Sequence, residues 1–355
     1  MAEQTLIEWA DATLNLWWGC TKVSEGCKFC YAENLSEQRF DKGAWGPQGK
    51  RQEVKSWRST LEKISRRAKA EGRRLRVFCQ SMSDIFEGPE TCGGFGSENW
   101  ALIHRLRVDL FAEIVKHPEL DFLLLTKRPH IVGGCMGTAG FWLEVNAALW
   151  RDAHSVLPGG LGDYACGRKV LPNVWIGTSV EDQKTADERI PQLLSIDCAV
   201  RFVSCEPLLG PVDLSRHLPI ASHHVSRICA STGSITQPLN MGWIRAYRTD
   251  GSLVDSNIHW VICGGESGPN ARPMHPDWAR SLRDQCQAAG APFLFKQWGE
   301  WLPDSHVYDG CETNYGKAPT HHWEDGFSWR VGKKAAGRLL DGREWNEFPE
   351  VQGNV

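Results

Sequence analysis

Six short runs of almost unbroken apolar residues punctuate the chain, at positions 76–80, 121–125, 173–177, 199–203, 259–263 and 292–295. A strand with one wet face would alternate apolar and polar residues. These continuous runs instead suit parallel strands covered on both faces. Each ends in polar or glycine residues, as where Leu123-Leu124-Leu125 meets Thr126-Lys127-Arg128-Pro129 and Val261-Ile262-Cys263 meets Gly264-Gly265-Glu266. Between them, residues 100–117, 183–194 and 276–289 carry the spacing of amphipathic helices. The last opens with Pro276 and Asp277 and closes at Gly290. Strands alternating with helices imply right-handed βαβ units. The expected fold is therefore α/β: a full or partial (βα) barrel of about six parallel strands, with room for one more strand before Cys20. A doubly wound open sheet is the alternative.

The same pattern assigns one α/β unit to residues 1–301. A glycine-rich stretch near 131–170 reads as an elaborated loop holding one helix. A Ser-, Thr-, Asn- and Gly-rich stretch near 214–257 reads as an insertion, and residues 302–355 as a polar C-terminal extension. With 355 residues the chain can bury a large core, and its 41% apolar and 23% charged content is that of a soluble globular protein. No run approaches the ~18 apolar residues that span a bilayer, and no signal peptide opens the chain, so no membrane contact and a cytoplasmic location are expected. The net charge of −3 gives no overall attraction for polyanions. Locally, Arg66, Arg67, Arg73, Arg74 and Arg76 form a basic stretch that is either a solvated face or a phosphate-binding patch for nucleic acid.

Thirteen cysteines would suggest disulfides in a secreted chain, but nothing here signals export. Most stand alone among apolar residues, where a thiol packs as a small hydrophobe. Cys20, Cys27 and Cys30 differ: they fall within eleven residues, with Gly19 and Gly26 allowing the loop to wrap around something compact. Thiolates at this density are soft ligands for zinc or an iron–sulfur cluster. A structural zinc normally takes a fourth Cys or His, and none occurs in the twenty residues after Cys30. Three ligands and an open position suit a [4Fe–4S] cluster whose fourth iron binds a small molecule.

In a barrel, the residues that follow each strand converge at one mouth. Here they are Asp84, Lys127, Glu181, Glu206, Glu266 and Lys296, with Gln80 beside Asp84. Buried charges must be paired or solvated, so this set is either a catalytic constellation or a ring of mutual ion pairs.

The cysteine loop resembles the radical-SAM superfamily: Cys27-Lys28-Phe29-Cys30 matches the second half of that family's signature, including the aromatic residue before the last cysteine. Six residues separate Cys20 from Cys27 where the usual signature has three. Gly264-Gly265-Glu266 resembles the Gly-Gly-Glu element that binds the amino group of S-adenosylmethionine, although it follows the fifth of six expected strands rather than an early one. Ser204-Cys205-Glu206 resembles the same element with Ser-Cys in place of Gly-Gly.

A narrower resemblance is to phage-associated three-cysteine-motif proteins of unknown function. It is carried by the cysteine loop together with Leu125-Thr126-Lys127-Arg128-Pro129, Ser204-Cys205-Glu206-Pro207, Gly264-Gly265-Glu266-Ser267-Gly268 and Phe295-Lys296-Gln297-Trp298-Gly299. The resemblance implies a [4Fe–4S] cluster on Cys20, Cys27 and Cys30, with S-adenosylmethionine as a second cofactor and an external electron donor. Phe29, Gln80, Gly264, Gly265 and Glu266 would lie against the cofactor. Asp84, Lys127, Glu206, Glu266 and Lys296 would serve the chemistry, with nucleic acid as the first substrate class. Two other readings stay open: a zinc-stabilised nucleic-acid-binding protein, and a cluster-free α/β-barrel hydrolase or transferase with Glu206 or Glu266 as general base.

Overall fold

In the computed structural model of the chain, residues 4–159, 161–165, 169–219, 257–306 and 317–350 are described. The central sheet has seven parallel strands rather than about six: β1 (Ala12–Leu14), β2 (Leu75–Cys79), β3 (Leu120–Thr126), β4 (Val174–Ser179), β5 (Val200–Cys205), β6 (Trp260–Gly264) and β7 (Phe293–Gln297). They are hydrogen-bonded in chain order, each parallel to the next. A doubly wound sheet reverses its strand order at a switch point, and this order never reverses, which excludes that alternative. Among the described residues β1 and β7 do not pair, so the sheet is a curled half-barrel and not a closed one.

The apolar runs are unbroken because both faces of each strand are covered. Toward the helices, Val77, Phe122, Leu124, Ile176, Val203, Val261 and Phe293 join the main core. On the concave side, Phe78, Leu123, Trp175, Phe202, Trp260 and Leu294 form a second cluster with Trp9 from the N-terminal segment. Phe348 enters the same cluster, its ring centroid 5.2 Å from that of Trp260. The half-barrel is thus plugged by aromatic rings, with a cavity at the carboxyl ends of the strands.

Six principal helices cover the outer face: α1 (Trp57–Glu71), α2 (Glu98–Lys116), α3 (Pro129–Met136), α4 (Ala139–Ala153), α5 (Gln183–Leu194) and α6 (Pro276–Ala289). The stretch near 131–170, expected as a loop with one helix, instead holds α3, α4 and the short helix Leu161–Ala165. Its glycines mask an apolar stripe: Phe141 and Trp142 pack edge-on against Phe111 of α2 at 5.2 and 5.8 Å. Most of the expected insertion near 214–257 lies outside the described residues.

After β7, Trp301–Pro303, Thr320–His322 and Phe327–Arg330 form a small antiparallel sheet. The chain then returns along the edge of β7, where the Phe295 amide donates to the Trp345 carbonyl at 3.0 Å and the Glu347 amide to the Phe293 carbonyl at 3.2 Å. This covers an edge that would otherwise offer unpaired backbone groups.

Candidate functional site

At the carboxyl ends of the strands lies a cavity of about 480 Å³. Cys20, Cys27, Phe29 and Cys30 line it from the loop after β1, and Gln80, Asp84, Lys127, Glu206, Gly265, Glu266 and Lys296 from the other strand ends. Of the strand-end residues singled out in the sequence, Glu181 and Gly264 stand behind this lining.

Most of the charges are spent on one another. Asp84 is buried, and its two oxygens accept four hydrogen bonds. Oδ1 takes the Thr126 hydroxyl at 2.7 Å and the Phe86 amide at 2.9 Å; Oδ2 takes the Lys127 amide at 3.0 Å and Arg128 Nη1 at 2.8 Å. A carboxylate has about four acceptor sites, so Asp84 has none left for a ligand. Burial raises its pKa, but the Arg128 charge and these hydrogen bonds outweigh burial and hold it below the usual range. Gln80 is also committed: its Oε1 accepts from the Leu16 amide at 2.6 Å and its Nε2 donates to Ser83 at 2.7 Å. Both residues line the cavity, with these side-chain hydrogen bonds taken up by the surrounding scaffold.

The cysteine loop is clamped from three sides. Arg128, paired with Asp84, donates to the Thr21 carbonyl at 2.6 Å and lies 3.7 Å from Cys20 Sγ. Glu181, buried after β4, accepts from the Ser24 hydroxyl at 3.0 Å, from Arg189 at 2.9 Å and from the Lys127 ammonium. Gly26 presses on that carboxylate, and a Cβ there would meet Glu181 Cγ at 2.4 Å. On the third side, Glu266 binds Arg272 in a two-oxygen fork, at 2.8 Å to Nε and 2.6 Å to Nη2. Arg272 then donates to the Glu25 carbonyl at 3.0 Å and lies over the Phe29 ring at 5.2 Å. The six residues between Cys20 and Cys27 are held by these clamps.

Gly265 is required by strand packing, since a Cβ there would meet the Trp298 carbonyl oxygen at 2.0 Å. Glu206 and Lys296 make the remaining ion pair, at 3.0 Å, with Ser204 donating to Glu206 Oε2 at 3.1 Å. Among the described residues, no scaffold arginine pairs with Glu206 as Arg272 does with Glu266 or Arg189 with Glu181.

The thiols of Cys20 and Cys30 are pushed up by burial. The Arg128 charge opposes this at Cys20, and the backbone amides of Glu33 and Ala32 oppose it at Cys30. Cys30 opens the short helix Tyr31–Glu33, which runs into the wider π-helical turn Asn34–Arg39. Among the described residues, the one group of three His, Cys, Asp or Glu ligand atoms lying within 4.8 Å of one another is His275, Asp277 and Asp325, in a separate small pocket. At least one pair among the three cysteine sulfurs therefore stands farther apart than that.

Arg128, Arg272 and Ser24 were not singled out as site residues from the sequence. Arg128 stood beside Lys127 in a strand-end motif, which was its signal; Arg272 and Ser24 carried none. The basic stretch stands elsewhere. Arg73 and Arg76 pair with Asp11 at 3.0 and 3.2 Å, Arg74 with Asp121 at 3.1 Å, and Arg67 donates to the Asp11 carbonyl at 3.0 Å. Asp11 precedes β1 and Asp121 lies near the start of β3, so these arginines serve the end of the sheet opposite the cavity. Arg66 is exposed on α1. The cavity receives no charge from this stretch.

Fold and site together define a parallel α/β half-barrel protein whose mouth is lined by a three-cysteine loop. Over residues 4–349 the chain matches the family described as protein of unknown function DUF5131, and it belongs to that family. No curated protein and no solved structure matches it. Among the described residues no helix is long and apolar enough to cross a membrane.

Proposed function

We propose that this protein is an iron–sulfur enzyme of radical-SAM type, with Cys20, Cys27 and Cys30 as ligands of a [4Fe–4S] cluster and S-adenosylmethionine in the cavity beside it. The observation that carries the reading is the presence of all three cysteines in the wall of one cavity at the carboxyl ends of a parallel half-barrel. The resemblance of the cysteine loop to the radical-SAM signature and to phage-associated three-cysteine-motif proteins points the same way.

The chemistry supplied by such a cluster, once reduced by an external electron donor, is one-electron cleavage of a carbon–sulfur bond of S-adenosylmethionine, giving methionine and a 5′-deoxyadenosyl radical that takes hydrogen from the substrate. The chain's own residues bind and orient. Arg128 favours the thiolate of Cys20 by its charge. Lys296 and Glu206 present both signs to the cavity, as a zwitterionic amino-acid group requires. Of the two carboxylates that resemble the Gly-Gly-Glu element, Glu206 is the better contact, because Glu266 is occupied by Arg272. Trp9, Phe78 and Leu125 line the cavity with apolar surface that excludes water. Both carboxylates are ion-paired, which disfavours either as the general base of a hydrolase.

Anaerobic purification followed by iron and sulfide assay and EPR with and without S-adenosylmethionine tests the reading. Iron and sulfide near four each per chain, lost in Cys27→Ala, with an EPR change on adding S-adenosylmethionine, is the expected result. Iron-free protein that keeps its fold would overturn it.

A further inference from the structure

Most cations in the cavity wall have an acid partner. Lys127 pairs with Glu181, Arg128 with Asp84 and Lys296 with Glu206. Lys333 also lines the cavity, is exposed, and among the described residues makes no ion pair. It comes from the polar C-terminal region, for which the sequence suggested no role. The neighbouring carboxylate of Glu300 accepts from the Gly268 amide at 3.0 Å.

Lys333 is held in place by its backbone. The amides of Val331 and Gly332 both donate to the Glu300 carbonyl, at 2.9 and 3.0 Å, and the Trp298 amide donates to the Gly337 carbonyl at 3.2 Å. The Trp298 indole donates to the Leu339 carbonyl at 2.9 Å. The backbone of Lys333 is therefore anchored at the end of β7, where the residue lines the same cavity as Phe29, Tyr31 and Trp45. Tyr31 is about half exposed, with its hydroxyl donating to the Ser81 carbonyl at 2.7 Å.

A cation without an ion-pair partner and aromatic rings in one cavity wall are the combination that takes a phosphate together with a stacked base. We infer that the cavity entrance is a nucleotide subsite in which Lys333 binds a phosphate of the substrate and the aromatic residues at the entrance stack against its base. This names a substrate class for the proposed site and rests on that reading for the reaction only. The basic stretch of α1 and β2 takes no part.

The test is fluorescence anisotropy with a fluorescein-labelled single strand of about 12 nucleotides, titrated with the full-length protein at several salt concentrations. Wild type is expected to bind. Lys333→Gln is expected to weaken binding about three- to tenfold and to lower the salt slope by about one, as loss of one phosphate contact does. Lys334→Gln, on the same helical turn but outside the cavity wall, and Arg66→Gln should stay within about twofold of wild type. Adenosine monophosphate as competitor separates the two sources of the phosphate: displacement assigns the subsite to a free nucleotide, and no displacement to a strand. Absence of binding, or equal weakening by Lys334→Gln or Arg66→Gln, overturns the inference. Because binding is read and not turnover, iron-bearing protein that ignores the strand defeats this inference alone. Iron-free protein that binds through Lys333 defeats the cluster reading alone.

Discussion

Replacing Asp84 by alanine separates a scaffold role from a catalytic one. The variant removes the carboxylate that neutralises Arg128, a side chain only 2% exposed, and leaves three other donors facing the gap. Breaking a buried ion pair by deleting one partner costs about 3–5 kcal/mol. Asp84 borders the cavity, so water can reach the orphaned guanidinium, and about 3 kcal/mol is the appropriate end of that range. With a urea dependence of about 3 kcal/mol per molar, the unfolding midpoint should fall by about 1 M. Arg128→Met in the same background should restore part of the loss, giving a coupling of at least about 1.5 kcal/mol. The linkage has a definite sign. The native pKa of Asp84 is lowered, so its contribution is present above the unfolded value of about 3.9 and is lost as pH falls through the native one. The variant should therefore lose part of the wild-type pH dependence below about pH 4. Urea titration at neutral and acid pH checks all three. A cost under about 1 kcal/mol, or strict additivity with Arg128→Met, would refute the claim that this pair carries the cysteine loop.

Gly26→Ala should displace the Glu181 carboxylate that its Cβ would overlap, destabilising the protein by about 1–3 kcal/mol; thermal unfolding checks it, and an unchanged melting temperature contradicts the clamp. Without metal, the same variant should also expose Cys27 to faster alkylation than wild type, read by mass spectrometry. His306 is buried beside Trp298, and burial with the charges of Arg280 and Arg283 outweighs Asp341 to lower its pKa to about 4. Stability from the neutral ring is complete above about pH 6.5 and lost as pH falls toward 4, so His306→Phe should flatten the melting-temperature profile across that window. Phe348→Ala removes a ring packed on Trp260 at 5.2 Å and under Arg76 at 3.6 Å, and should cost about 2–3 kcal/mol in urea unfolding.

The parallel strands were legible because burial on both faces leaves continuous apolar runs, and their polar ends marked the cavity wall residue by residue. β1 was hard to read at three residues, since a strand that short carries no period. The glycines near 131–170 hid helices because their packing depends on Phe111, a partner far off in the chain. Charge pairing was the least legible feature. Asp84 and Glu206 look alike as acids after a strand, yet one accepts four hydrogen bonds and the other pairs with Lys296 in the cavity wall. That difference is set by Thr126, Arg128 and Lys296, which come from other strand ends. The basic stretch misled for a related reason: its partners, Asp11 and Asp121, lie far enough away in sequence to leave the arginines looking free.

The central claim is that Cys20, Cys27 and Cys30 jointly hold an iron–sulfur cluster, and iron and sulfide content of anaerobically purified protein tests it most directly. Wild type should carry close to four of each per chain with visible absorption near ~400 nm, and Cys27→Ala should lose both while remaining folded by circular dichroism. Stoichiometric zinc without sulfide, or iron that persists in all three single cysteine variants, would contradict the account.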